Sequence, residues 1–241
     1  MDLRRKAARV TAILAARYGS PRHNNKRDPL DELVFIILSQ MTTYWSFERV
    51  FEKLKHAAPS WNDVHRMRLS RLKTLIKDAG LSGQKAPRIK AILARLWSEF
   101  GEVTLDCLRN MKTGDAEAYL TSLPGVQKKT AKCVLMYSLH RRVLPVDTHV
   151  LRVARRLGFI ENRVIGDAVH ESLERIFQPA LRYRFHVNAV AHGRAICLAN
   201  NPRCSGCMLT AHCDYFAAQR GCAPSRSFAM YACADRREGY S

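Results

Sequence analysis

The sequence lacks any long apolar run and any secretory leader. Its longest continuous apolar stretch is Leu33–Leu38, whereas a helix that spans a bilayer needs about 20 apolar residues. The basic N-terminus is not followed by the apolar segment of a signal peptide. We therefore expect a protein without membrane association that works in the cytoplasm, next to the nucleoid if the source is bacterial.

Strand signals and internal repeats are missing as well. No stretch alternates apolar and polar residues between hairpin turns, and most of the chain instead repeats apolar residues at helical spacing. An all-α protein is therefore predicted, with a flexible tail at residues 221–241. Helices are predicted at residues 2–18, 30–41, 44–57, 61–67, 69–76, 113–120, 128–139, 150–157, 164–177 and 181–198, and another follows a loop at residues 81–85.

Acidic residues are scarce relative to basic ones. The chain has 40 Lys and Arg against 21 Asp and Glu, a net charge of +19 and a pI near 10. Such a charge favours a polyanionic partner, most simply nucleic acid. A ribosome-associated or merely soluble basic protein is the alternative. An anionic membrane surface is disfavoured because the basic residues are scattered instead of lying on one amphipathic helix. No oligomerisation signal is present, and a monomer is expected.

A turn between two predicted helices is the most informative local pattern. Leu123-Pro124-Gly125-Val126 contains two turn-forming residues, with a helix predicted before it and another after it. A hairpin of this kind points backbone N–H groups and a helix N-terminus outward. These groups suit an anion such as a phosphate.

Lys129 falls in the first turn of the second of these helices. The positive end of the helix dipole and the neighbouring Lys128 both disfavour its ammonium form. A lysine in this position is a candidate amine nucleophile. Asp147 lies downstream, after Pro145, and a fold could bring its carboxylate back to face the lysine.

Four of the eight cysteines are clustered, at Cys197, Cys204, Cys207 and Cys213. In a reducing compartment, cysteines at such spacing favour metal binding over disulfides. Four thiolates on one loop suit either zinc or an iron–sulfur cluster. The uneven spacing differs from the paired C-x2-C units of a zinc ribbon, so we favour [4Fe-4S] and keep zinc as the alternative.

The remaining cysteines show no such spacing. Cys107 and Cys133 are interpreted as core residues, and Cys222 and Cys233 in the tail are unassigned.

The hairpin, a lysine and an aspartate eighteen residues apart, and this cysteine spacing together resemble the endonuclease III family of DNA glycosylases, within the helix-hairpin-helix superfamily. The resemblance extends over residues 28–215. Residues 86–158 also look like the plant 5-methylcytosine glycosylases, through Lys85-Ala86, Phe100-Gly101, the segment 105–109 and the segment 145–148.

The resemblance implies a base-excision repair enzyme that is both a DNA glycosylase and an AP lyase. Its substrate would be double-stranded DNA with a damaged base, oxidised pyrimidines foremost, or an abasic site. Lys129 occupies the family's nucleophile position and would form a Schiff base with the sugar, followed by β-elimination. Asp147 occupies the position of the aspartate that stabilises the cationic sugar. The cysteines would hold a [4Fe-4S] cluster.

The resemblance also implies two helical domains on either side of a DNA-binding cleft. One is a helical barrel of residues 26–141 with the hairpin, and the other combines residues 1–25 and 142–220 with the cluster. A monovalent cation could bind the hairpin carbonyls. The predicted DNA contacts are Gly125, Val126, Gln127, Lys128 and Thr130 at the hairpin, the wedge residue Leu81, and Gln40, Met41 and His149.

Two departures from the family pattern leave the substrate open. Gln127 stands where the family has a second glycine, and Met41 stands where glutamine is common. A glycosylase for 5-methylcytosine or for mismatched uracil or thymine is therefore an alternative, as is a non-catalytic DNA-binding or redox-sensing protein on the same scaffold. The adenine-mismatch branch is disfavoured, because it lacks the lysine that this chain has at Lys129. A zinc-finger-like nucleic-acid-binding protein is a further alternative.

Overall fold

The computed structural model describes residues 2–21, 25–41 and 44–221, with only the backbone of Tyr44 and Trp45. Within these ranges the chain forms twelve α-helices and no strand, which confirms the predicted all-α class. The predicted tail, with Cys222 and Cys233, lies outside the described residues. The helices are α1 Leu3–Tyr18, α2 Pro29–Ser39, α3 Tyr44–Ala57, α4 Trp61–Arg66, α5 Leu69–Leu75, α6 Ser82–Phe100, α7 Thr113–Ser122, α8 Lys128–Tyr137, α9 Thr148–Arg156, α10 Ala168–Ile176, α11 Pro179–Ala195 and α12 Asp214–Gln219.

The chain divides into two compact units, one of which comprises residues 24–141. Helix α2 is the central helix of this unit, because every residue from Leu30 to Leu38 except Asp31 is buried. Helices α3, α6 and α8 pack against it. Asp28 caps the start of α2 by accepting hydrogen bonds from the amides of Leu30 and Asp31, which satisfies two otherwise unpaired donors.

The second unit contains α1 and the helices that follow Arg142. Helix α11 packs against both α1 and α9. Three buried aromatic rings, Phe159, Phe177 and Phe185, form part of the core, and the last two stack with their centroids 3.9 Å apart. This core supports the helix that begins directly after Asp147.

Several predicted boundaries were wrong, and three of them have a clear physical reason. Residues 82–85 are helical and not a loop, because the side chains of Lys85 and Ala86 are buried and hold the first turns of α6 in place. Helix α10 begins at Ala168 instead of residue 164, since the chain adopts a left-handed conformation at Gly166. Helix α2 ends at Ser39, and Met41 has a φ of 53°. Helix α12, after the last clustered cysteine, was not predicted.

Candidate active site and cysteine centre

The turn between α7 and α8 is closed by a hydrogen bond from the amide of Val126 to the carbonyl of Leu123, at 3.1 Å. Gly125 has a φ of 70°, which together with Pro124 before it is typical of a type II turn. A Cβ atom at Gly125 would lie 2.7 Å from Nε of Arg88. Glycine is therefore required here both by the backbone conformation and by the close approach of Arg88.

Gln127 needs no special conformation. Its φ of −91° and ψ of 164° are ordinary extended values, so the glycine of the family pattern is not required by the backbone at this position. Gln127 makes no side-chain cap for α8. The amides of Lys129 and Thr130 consequently have no partner within the helix, and they are suitable donors to an anion.

Two of the predicted hairpin contacts, Val126 and Thr130, could reach DNA only through their backbone atoms. The side chains of Val126 and Thr130 are buried, and the amide of Val126 already bonds within the turn. Val126 therefore has only its carbonyl to offer. Lys128 is engaged by Glu117 of α7, with Nζ 3.8 Å from Oε1, and Lys132 binds the same carboxylate at 3.2 Å.

Lys129 is half-buried at the second position of α8. Unlike Lys128 and Lys132, it forms no ion pair with any carboxylate among the described residues. Its charge nevertheless acts on the carboxylate of Glu32, a buried residue of α2.

Glu32 is a buried carboxylate that sequence reasoning missed. It lies in α2, which packs against α8, and accepts hydrogen bonds from Nδ2 of Asn25 at 2.7 Å and the amide of Lys26 at 2.6 Å. Burial raises the pKa of Glu32 to about 7, while those hydrogen bonds and the charges of Lys26 and Lys129 act in the opposite direction. The sequence did contain a signal for this buried carboxylate, because Glu32 directly precedes the apolar run of α2.

Asp147 is held at the start of α9. Its Oδ1 atom accepts a hydrogen bond from the amide of Val150 at 2.7 Å, the geometry of an N-cap. The residue is half-buried. One carboxylate oxygen thus fixes the side chain.

His149, a predicted DNA contact, is engaged within the protein. Its Nδ1 atom lies 3.1 Å from a guanidinium nitrogen of Arg152, which also donates to the carbonyl of Gly193 at 2.8 Å. These contacts favour a structural role for His149. Its contact with DNA stays a prediction.

The other predicted DNA contacts lie at the ends of helices in residues 24–141. Gln40 follows α2 and accepts a hydrogen bond from Arg88 at 2.9 Å. Met41 and Leu81 are 88% and 48% exposed. Both are therefore among the exposed large apolar side chains of the described residues.

The four clustered cysteines line one cavity, together with Arg156 and His192. No disulfide links the six cysteines that the structure describes. The described residues contain no three His, Cys, Asp or Glu side chains close enough for a single metal ion, although Zn–S bonds of about 2.3 Å would require such a gathering.

Several donors point at these sulfurs. Arg156 donates to Sγ of Cys197 at 3.3 Å, and the amide of Leu209 donates to Sγ of Cys207 at 3.4 Å. Burial raises the pKa of Cys213 to about 11. The thiolate form therefore needs compensating positive charge, which a metal group would supply.

A family model described as "HhH-GPD superfamily base excision DNA repair protein" matches residues 34–179, more than half of the chain. The chain belongs to this superfamily. This match confirms the predicted helix-hairpin-helix superfamily. The matched residues include the hairpin, Lys129 and Asp147.

Similar proteins come from bacteria and plants. Endonuclease III of Thermotoga maritima is 32% identical over 81% of this HhH-GPD chain and 87% of its own length. An Arabidopsis thaliana protein named as a DNA glycosylase is 35% identical over 68% of the chain. DEMETER-like protein 2 of the same plant is 30% identical over 73% of the chain. The chain spans 56% and 14% of these two plant proteins.

A solved structure of endonuclease III in a trapped covalent intermediate with DNA has the same fold. Its TM-score is 0.79 at 24% identity, and the match covers 91% of this chain and all of that one. None of the helices within the described ranges is long and apolar enough to cross a membrane.

Proposed function

We propose that this HhH-GPD protein is a bifunctional DNA glycosylase and AP lyase that removes damaged bases, with oxidised pyrimidines as its preferred class. The observation that carries the proposal is Lys129, half-buried at the second position of α8. The type II turn and two helix amides next to it form a phosphate site. If the hairpin binds a DNA phosphate, the amine of Lys129 lies near the sugar of the same nucleotide, where it can attack C1′.

The reaction requires the damaged nucleotide to leave the base stack, because the sugar carbon is otherwise inaccessible. The amine of Lys129 forms a bond to C1′ while the bond from C1′ to the base breaks. The base departs with the electron pair and gains a proton. Opening of the sugar ring gives an iminium ion, and loss of a C2′ proton then expels the 3′ phosphate and cuts the strand.

Asp147 is proposed to stabilise the positive charge on the sugar. Its hydrogen bond to the amide of Val150 fixes the side chain, so little reorganisation is needed when charge develops. The dsDNA substrate is supported by the net charge of +19 and by the DNA complexes among the solved structures with this fold.

The four clustered cysteines are proposed to hold a [4Fe-4S] cluster. Their shared cavity and the guanidinium of Arg156 at Cys197 support it. When bound, the cluster would cross-link the loop from Cys197 to Cys213. Anaerobically purified protein should be yellow-brown, and Cys204→Ser should bleach it. Cys107→Ser, at a half-buried cysteine outside the cavity, is the matched control and should keep the colour; a colourless, zinc-replete preparation contradicts the cluster.

Borohydride trapping tests the catalytic proposal. Wild-type protein should form a covalent adduct with a duplex that contains an abasic site, because borohydride reduces the iminium ion. Lys129→Ala should lose the adduct and retain most of its DNA affinity. Lys132→Ala, on the same helix but bound to Glu117, is the matched control and should still form it.

The same assay defines the substrate. Duplexes with thymine glycol, mismatched uracil or 5-methylcytosine separate oxidised pyrimidines from the alternative bases. Trapping that persists in Lys129→Ala would place the nucleophile elsewhere. No trapping by wild type on any duplex would favour the non-catalytic alternative.

A further inference from the structure

Two exposed apolar side chains occupy left-handed backbone positions in residues 24–141. Met41 has a φ of 53° and Leu81 a φ of 50°. L-residues other than asparagine, aspartate and glycine adopt this conformation rarely, and where they do, the surrounding structure enforces it. Each residue adjoins a helix end, Met41 just after α2 and Leu81 directly before α6.

Lys85 links the two segments that lead to these residues. Its Nζ atom donates to the carbonyl of Leu38 at 2.7 Å and to the carbonyl of Ala79 at 2.8 Å. Leu38 precedes Met41 by three positions, and Ala79 precedes Leu81 by two. Because both carbonyls bind one nitrogen, the two segments meet at Lys85.

The lysine that makes these contacts is only 2% exposed. Burial, and to a lesser extent the charge of Arg88, lowers the pKa of Lys85 to about 8. An ammonium group is costly to bury, and an apolar residue could fill the space. The hydrogen bonds that Lys85 donates, which are stronger than those of a neutral donor, offset this cost.

Arg88, one turn further along α6, adds a second link. Its Nη1 atom donates to Oε1 of Gln40 at 2.9 Å, next to Met41. The same side chain contacts the backbone of the hairpin, where a Cβ atom at Gly125 would lie 2.7 Å from its Nε. One face of α6 therefore contacts the segments that lead to Met41 and Leu81 and lies close to the hairpin turn.

We propose that Lys85 is a positioning residue, assisted by Arg88, that fixes Met41 and Leu81 as a paired wedge for insertion into the base stack of DNA. The inference rests on the proposed function, because it assumes a duplex bound at the hairpin. Proteins that unstack bases insert apolar side chains between them. A wedge must be rigid to do so, and the shared anchor at Lys85 supplies that rigidity.

Lys90 provides a matched control on the same helix. Its Nζ atom also donates to backbone carbonyls, those of Val64, His65 and Met67 at the end of α4. The contacts are of the same kind, but they hold a segment that bears neither exposed apolar residue. Lys85→Met and Lys90→Met should therefore both lower the melting temperature.

The test uses a duplex with the fluorescent base 2-aminopurine opposite a tetrahydrofuran abasic-site analogue. At saturating protein, wild type should raise the fluorescence by unstacking the base, and Lys85→Met should reduce that rise about fivefold or more, since small misplacements are costly. Lys90→Met should keep the rise. Met41→Ala and Leu81→Ala, which alter exposed side chains, should each reduce it without lowering the melting temperature.

A retained rise in Lys85→Met, or an equal loss in Lys85→Met and Lys90→Met, overturns the inference. If Lys85→Met does not fold, Arg88→Met replaces it, and a retained rise there overturns the inference as well. Borohydride trapping by wild type is scored separately on a true abasic site. Absence of trapping with an intact fluorescence response refutes the catalytic function alone, whereas trapping with an unchanged response in Lys85→Met refutes the wedge alone.

Discussion

The ammonium of Lys6 lies 3.1 Å from a carboxylate oxygen of Asp214, and both side chains are buried. The two residues are 208 positions apart. Asp214 directly follows Cys213, so the ion pair joins the first helix of the chain to the end of the cysteine loop. Stability of α1 and integrity of the cysteine centre should therefore be coupled.

Replacement of Lys6 tests this coupling. Lys6→Met removes the ammonium that pairs with the buried carboxylate of Asp214, and we expect the free energy of unfolding to fall by about 3 kcal/mol. Chemical denaturation followed by circular dichroism measures the change. Lys53→Met breaks the exposed pair with Asp78 and should have no measurable effect. Equal effects of the two variants would contradict the role of the buried pair.

Glu32 should make stability depend on pH. Burial raises its pKa from the ordinary 4.5 to about 7, so the folded state binds the proton more tightly than the unfolded state. The contribution to stability is therefore present below pH 4.5 and is lost as pH rises to about 7, by about 3 kcal/mol at most. Thermal melts of wild type and Glu32→Gln across this range should diverge accordingly.

The control for Glu32→Gln is the same substitution at a solvent-exposed glutamate. Glu52 pairs with Lys26 and its side chain is 64% exposed, so Glu52→Gln should follow the wild-type pH dependence. A Glu32→Gln variant with the same pH dependence as wild type would show that Glu32 does not titrate between pH 4.5 and 7.

Gly125 should be the hairpin position that tolerates substitution least. Gly125→Ala forces alanine into a left-handed conformation, which costs about 1–2 kcal/mol, and it displaces Arg88. We expect lower stability and weaker binding to an abasic-site duplex, measured by fluorescence anisotropy. Gly114→Ala in α7, where a Cβ meets nothing within 4 Å, should be neutral or stabilising.

Gln127→Gly completes this comparison. The extended backbone at Gln127 accepts either residue, so DNA affinity should change by less than about twofold, which is about 0.4 kcal/mol. A tenfold gain would mean that the glutamine side chain holds the backbone away from the phosphate. The departure from the family pattern would then be functional.

The sequence was sufficient to predict features that depend on residues close together in the chain. Pro124 and Gly125 set a turn by their own backbone preferences, and the apolar spacing in α3 and α9 follows from helical geometry. The residue type and spacing of the four clustered cysteines predict a site for a soft metal ion or an iron–sulfur cluster. The HhH-GPD match agrees with the class of protein that these motifs indicated.

Other features depend on contacts between distant segments. The helical start at Ser82 depends on burial of Lys85 against carbonyls from two other segments. The acidity of Glu32 depends on the helices around α2, and the pairing of Lys128 with Glu117 depends on the packing of α7 against α8. Neither spacing nor residue type specifies such contacts.

The sequence by itself determined the all-helical class, the hairpin with Lys129 and the cysteine centre, because each arises from residues close together in the chain. Only the tertiary structure decided that Lys85 joins the segments before Met41 and Leu81, and that Glu32 is a buried carboxylate near the charge of Lys129. Burial and hydrogen bonding between remote residues set these properties, and they exist only once the helices have packed.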